Sequence, residues 1–316
     1  MKKNLLILLS LIYLSCSSFR STENFISYKE NQIQLKDKLL KLADNYSGTI
    51  GIYAKNLNTG EVISVNEDSL FPTASVIKLP ILISFFKKIK DGEINPDEYI
   101  VINDSQKVGG AGVIQFFKDD VKIKLIDAAT LMIILSDNTA TNAIIDQLGS
   151  SHDDKLNYVN MTMESLGLKN TKLLNKVFSY RTKKNTPEAK RFGLGYSSPR
   201  EMGELLEMIY RHQIIDSFYS NWIIQIMKNQ QDESMIRKLL PYYNLKEGER
   251  IIVANKTGAV DQSRIDVGIV YSPKCDFVIA VFADQSKDTR WTYDNKAENA
   301  VALAAKIIYD YFNRAD

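Results

Sequence analysis

Three short strings, Ser75-Val76-Ile77-Lys78, Ser136-Asp137-Asn138 and Lys256-Thr257-Gly258, set hydroxyls beside amines in a chain with little other catalytic equipment. A serine hydroxyl is a poor nucleophile until a neighbouring base takes its proton. Only His152 and His212 are present, and no Gly-x-Ser-x-Gly elbow occurs, so a Ser-His-Asp triad has little support. Lys78 is the alternative base for Ser75, because residues three apart on a helix share one face. A lysine that is desolvated and close to other cations loses its proton near working pH and can then accept one from serine.

Each string also has a plain reading. Ser-x-x-Lys is most often a surface serine and a solvated lysine, but the apolar text around it, Val76-Ile77 and Leu79 to Ile83, argues for burial. A helix N-terminus at Ser75 would add unpaired N–H groups and a favourable dipole, making the Ser75 N–H an oxyanion donor. Ser136 can relay a proton to a leaving nitrogen and Asn138 can bind a substrate carbonyl, while Asp137 suits a helix cap. Lys256 and Thr257 can hold a carboxylate, Gly258 lets a ligand approach the backbone, and Ala259 can offer a second oxyanion N–H. An edge strand protected by a lysine would carry the same letters. Lys-Thr-Gly arises by chance in roughly one chain of this length in fifteen, so the ordered trio, not any one string, carries the inference.

The elements that must position these strings change period along the chain. Gln32 to Leu42 has helical spacing, and Gly48 to Leu57 with Glu61 to Val65 reads as a hairpin around Asn58-Thr59-Gly60. A helix is expected over Ser75 to Ile89, capped by Thr73 and slightly kinked at Pro80. Helical patterns continue through Leu125 to Leu135, Ala140 to Leu148, Lys155 to Leu166, Pro199 to Arg211 and Asp216 to Lys228. Strands return at Ile251 to Ala254, Ile265 to Tyr271 and Phe277 to Ala283, and a helix closes the chain from Ala297 to Phe312. The expected class is α+β: an antiparallel sheet built from both ends of the chain, flanked by N- and C-terminal helices, with a helical lobe inserted over about 75–235. The crevice between lobe and sheet is the expected site.

The 316 residues are 45% hydrophobic and 25% charged, ordinary for a globular protein, and the net charge of +2 gives no overall field to collect nucleic acid. Lys2 and Lys3, the apolar run Leu5 to Leu14 and the small residues after it read as an export signal over 1–15. Leu14-Ser15-Cys16 resembles a lipoprotein box, which would anchor the chain to an envelope membrane through Cys16; a plain secretory signal is the other reading. Residues 16–30 read as a tether before a single domain over 31–316. With Cys16 so used, Cys275 has no disulfide partner, and a zinc site is not expected.

The trio resembles class A β-lactamases and penicillin-binding serine hydrolases. Ser136 to Asn142 followed by Leu148-Gly149, and Thr257-Gly258 followed by Ser263 to Gly268, extend the resemblance, which covers about Lys38 to Ile307. It implies acylation of Ser75 by a β-lactam, a carboxylate held by Lys256, Thr257 and Arg264, and an oxyanion hole from Ser75 and Ala259. It implies no cofactor, and a monomer is expected. The family's water-activating glutamate is missing: one register puts Thr171 in its place, and another puts Val177 there. Glu188 is the nearest downstream carboxylate, and it also reads as a solvated loop charge. The basic stretch 181–191 reads as a solvated loop or a contact for an anionic polymer. Trp291, Tyr293 and Pro241-Tyr242-Tyr243 read as packing or gorge-rim aromatics. Three functions fit: β-lactam hydrolysis, D-alanyl-D-alanine peptidase action on cell-wall peptides, or a sensor that stays acylated.

Overall fold

A computed structural model describes residues 29–179 and 184–314. The export signal, the lipoprotein box and most of the expected tether therefore lie outside the described residues. Residues 29 and 30, assigned to the tether, already belong to helix α1, which spans 29–45.

Five strands form one antiparallel sheet: β1 (Thr49–Asn56), β2 (Val62–Val65), β8 (Ile252–Val260), β9 (Ser263–Tyr271) and β10 (Phe277–Asp284). Their order, β2-β1-β10-β9-β8, joins the two ends of the chain and leaves β8 at an edge. Alternation along β10 shows how the sheet is held. Val278, Ala280 and Phe282 enter the core facing the inserted lobe. Phe277, Ile279, Val281 and Ala283 enter a second core under α1 and α9 (Lys296–Phe312). Both faces are apolar because both are covered by helices, so the strand reads as a continuous hydrophobic run.

The inserted lobe carries α2 (Lys78–Lys90), α3 (Leu125–Ile134), α4 (Asn138–Asp146), α5 (His152–Ser165), α6 (Pro187–Phe192), α7 (Pro199–Tyr210) and α8 (Ser217–Lys228). Two small sheets punctuate it. One pairs β4 (Tyr99–Ile102) with β5 (Val121–Lys124); the other orders β3 (Phe71–Pro72), β7 (Gly195–Ser197) and β6 (Lys172–Leu173). Helix α7 lies against the sheet where Gly203 meets the Tyr53 ring; a Cβ there would come within 2.1 Å of it.

The expected kink at Pro80 is replaced by a change of helix type. Ala74–Ile77 form a 3₁₀ turn, and α2 begins only at Lys78. Pro80 thus falls in the first α-turn, where its missing N–H costs nothing. Thr73 precedes the turn without a side-chain capping bond.

Arg264 and Glu298 tie α9 to the sheet through a fully buried guanidinium, Nε to Oε1 3.0 Å. Asn295 caps α9 beside them by accepting from the N–H groups of Ala297 and Glu298. Removing one partner of a buried pair leaves an uncompensated charge. Glu298→Ala should therefore cost about 3 kcal/mol by urea unfolding, with Glu298→Gln costing less; a loss below about 1 kcal/mol would show that the pair is not a structural tie.

Candidate active site

The small sheet β3-β7-β6 fixes the turn that carries Ser75. Thr73 donates its N–H to Gly195 O at 3.0 Å, and Val76 donates to Thr73 O at 3.0 Å. Ala74 sits at φ +44°, a left-handed conformation that alanine adopts only at a cost of about 1–3 kcal/mol. The strained residue immediately precedes Ser75, which is half-buried at the surface of two cavities.

Strand β8 approaches this turn closely. A Cβ on Gly258 would lie 2.7 Å from Thr73 O, 3.0 Å from Val76 N and 3.1 Å from Ser75 N. Gly258 thus makes room for the Ser75 turn itself, where a ligand's close approach was expected from the sequence. Ala259, the next residue, lines both cavities with Ser75.

Two fully buried lysines converge on one hydroxyl. Lys78 Nζ donates to Ser136 O at 2.6 Å, Ser136 Oγ at 3.2 Å and Asn138 Oδ1 at 2.8 Å. Lys256 Nζ donates to Ser136 Oγ at 3.1 Å and to Thr257 O at 2.7 Å. Burial, reinforced by the Lys256 charge and opposed by Asp137, pulls the Lys78 amine well below the ordinary lysine range. Burial brings Lys256 down to about 8, against the pull of Asp232 and Asp266. All three hydrogen bonds of the Lys78 amine thus run into the 136–138 segment.

Ser136 reaches this position through its backbone, at φ +55°. Asp137 holds the segment by accepting from the N–H groups of Ala140 (2.9 Å), Val113 (2.7 Å) and Ile114 (3.0 Å). Asn138 uses its carbonyl on Lys78 and one amide hydrogen on Gly109 O (2.9 Å), which leaves the other for a ligand.

The cavity beside Val177, about 320 Å³, is lined by Ala74, Ser75, Asn138, Asn175 to Ser179, Gly193, Leu194, Ala259 and Val260. No carboxylate lines it among the described residues. Asn142 clamps Val177 from both sides, its Oδ1 accepting from Val177 N (2.9 Å) and its Nδ2 donating to Val177 O (2.8 Å). Thr171 instead points away, to Glu201 Oε2 (2.7 Å) and Ser197 Oγ (2.8 Å). Of the two registers, only that of Val177 faces Ser75. Glu188 is exposed in the first turn of α6 and lines neither cavity, so its assignment as a water-activating group is not supported by position.

Arg264 also departs from expectation. Strand alternation puts it on the α9 face with Asp266, where its donors reach Glu298, Ser263 O (3.0 Å), Val260 O and Arg290 O (3.1 Å). It lines neither cavity at Ser75. The larger cavity, about 820 Å³, contains Ser75, Ser136, Thr257 to Asp261, Asp232 and Trp291. The sequence reading missed Asn142, Phe178, Gly110 and Asp232. The family text around Ser136 held the signal for Asn142, four residues beyond Asn138; the others lie in loops without pattern.

Comparison with known proteins agrees with this geometry. The sequence profile of the beta-lactamase enzyme family matches residues 34–312. The beta-lactamase VEB-1 of Pseudomonas aeruginosa is 23% identical over 325 aligned residues, spanning 98% of each chain. A beta-lactamase of Bacillus licheniformis is 24% identical across 94% of this chain and 90% of its own. Among solved structures, PBP-A superposes with a TM-score of 0.74 at 26% identity, covering 89% of this chain and 97% of that one. A variant of PBP-A was solved as an acyl-enzyme complex with penicillin G.

Gly258→Ala tests the packing of strand against turn. The added methyl must push on the Ser75 backbone, so the variant should lose about 1–3 kcal/mol by urea unfolding while unfolding stays cooperative. An unchanged stability would show that the Ser75 turn has slack.

Proposed function

The chain belongs to the beta-lactamase enzyme family, and on that premise we propose that it is a serine hydrolase that opens β-lactam rings through a covalent ester on Ser75, with release of that ester as the slow step. The observation that carries the reading is the pair of buried lysines sharing Ser136 Oγ at 3.2 and 3.1 Å, one of them driven towards its neutral form.

In the first step neutral Lys78 takes the Ser75 hydroxyl proton as Oγ forms a bond to the lactam carbonyl carbon. The carbonyl oxygen becomes an oxyanion facing the N–H groups of Ser75 and Ala259. The carbon–nitrogen bond then breaks, Ser136 Oγ–H donates to the leaving nitrogen, and Lys78 returns a proton to Ser136. Lys256, protonated for the most part below its value of about 8, supplies positive charge for a substrate carboxylate together with Thr257. Asn138 offers its remaining amide hydrogen to the acyl side.

Hydrolysis of the ester requires an activated water. Val177 presents an apolar side chain where a carboxylate would be useful, and the cavity it lines has none among the described residues. The same observation favours a second reading, a peptidase of D-alanyl-D-alanine cell-wall peptides, in which β-lactams act as trapped analogues of the natural acyl donor. The similarity to PBP-A fits either reading.

Intact mass followed after mixing with a penicillin and a cephalosporin separates the outcomes. A single adduct that outlasts many minutes is expected, absent in Ser75→Ala, and Val177→Glu should shorten its life at least tenfold. Rapid drug loss without a lasting adduct would contradict slow release, and an adduct surviving in Ser75→Ala would overturn the nucleophile.

A further inference from the structure

We propose that Trp291 is a specificity-determining residue, whose open indole face is the platform on which a planar or aromatic side chain of the acyl donor stacks. The proposal rests on the acylation reading above and adds the class of donor. Trp291 is 63% exposed, yet it is held on three sides. The guanidinium of Arg264 lies against one ring face, 4.4 Å from the centroid. The indole N–H donates to Asp261 Oδ1 at 3.2 Å. The backbone beside it is fixed by Arg264 Nη2 and Asn295 Nδ2, which both donate to Arg290 O at 3.1 and 2.8 Å.

Arg264 is itself tied on several sides. It is wholly buried, pairs with Glu298 and donates to the carbonyls of Val260 and Ser263. The residue expected to grip a substrate carboxylate is thus a positioning residue, bracing the β8–β9 hairpin and the Trp291 loop against each other.

Place gives the platform its use. Trp291 lines the 820 Å³ cavity that contains Ser75 and Ser136, and also a neighbouring cavity of about 900 Å³ bordered by Ala74, Lys190, Arg191 and Asp284. Tyr243 and Tyr293 are more exposed, at 99% and 85%, but border neither cavity. A rigid aromatic face loses little conformational freedom on binding, so stacking is gained at low entropic cost. The cation on the buried side draws on the ring's electrons, so the open face suits a neutral planar group better than a second cation.

The test compares penicillin G, which carries a phenylacetyl group, with 6-aminopenicillanic acid, which lacks it. In Trp291→Ala the ratio of their acylation rate constants should fall about threefold to tenfold, the scale of one aromatic pair, and Trp291→Phe should restore part of it. An unchanged ratio would overturn the proposal. A second readout does not need acylation. The chain has two tryptophans, so Trp222→Phe leaves Trp291 as sole reporter. Phenylacetylglycine should quench its fluorescence saturably, and the absence of quenching would overturn the platform. Failure of penicillin G to label wild-type Ser75 would instead sink the acylation reading, leaving the quenching titration to decide the platform.

Discussion

Two buried ammonium groups cannot both stay charged within hydrogen-bonding distance of the same oxygen. At an effective dielectric of about 20, unit charges roughly 6 Å apart repel by about 3 kcal/mol, equivalent to some two pKa units. Burial adds its own penalty to each charge. Lys78 and Lys256 are both wholly buried, and both donate to Ser136 Oγ. Burial and the Lys256 charge pull Lys78 well below the ordinary lysine range against Asp137, while burial brings Lys256 down to about 8 against Asp232 and Asp266. On the function proposed above, a structural liability becomes the base that Ser75 needs.

The remainder of the fold keeps this arrangement from relaxing. Lys256 stands on an edge strand of the sheet, and Ser136 lies 120 residues earlier in the inserted lobe. The two are brought together by α7 and α8 packing against the sheet, by Gly258 admitting the Ser75 turn, and by Asp137 fixing the 136–138 segment through three backbone N–H groups. Left-handed backbone occurs at Ala74, next to Ser75, and at Ser136, whose hydroxyl the two lysines share. Such strain persists only where the surrounding packing over-determines it.

Much of this was legible as residue types and periods. The trio named residues that the fold brings to one place, with Lys78 and Lys256 on Ser136 Oγ and Gly258 against the Ser75 turn, and the change from strand to helix to strand gave a sheet closed by both ends of the chain with a lobe between. What was not legible has identifiable causes. Strands β3, β6 and β7 span two or three residues each, too short to show alternation. Arg264 was assigned by family text to a substrate carboxylate, but strand period sends it to the α9 face, where Glu298 waits. Glu188 was a carboxylate chosen by nearness in sequence, and its helix turns it to solvent. Val177 gained its place through the side chain of Asn142, a contact across 35 residues that no local pattern announces.

Lys78, of the two lysines, is drawn towards its neutral form well below the ordinary lysine range. Carbon-13 NMR of ε-labelled lysines, assigned with single Lys→Arg variants, measures this directly. Lys78 should lose its charge well below the ordinary lysine range, and Lys256 should titrate near 8. Both lysines remaining charged up to the ordinary lysine range, about 10.4, would contradict the account and leave Ser75 without a base.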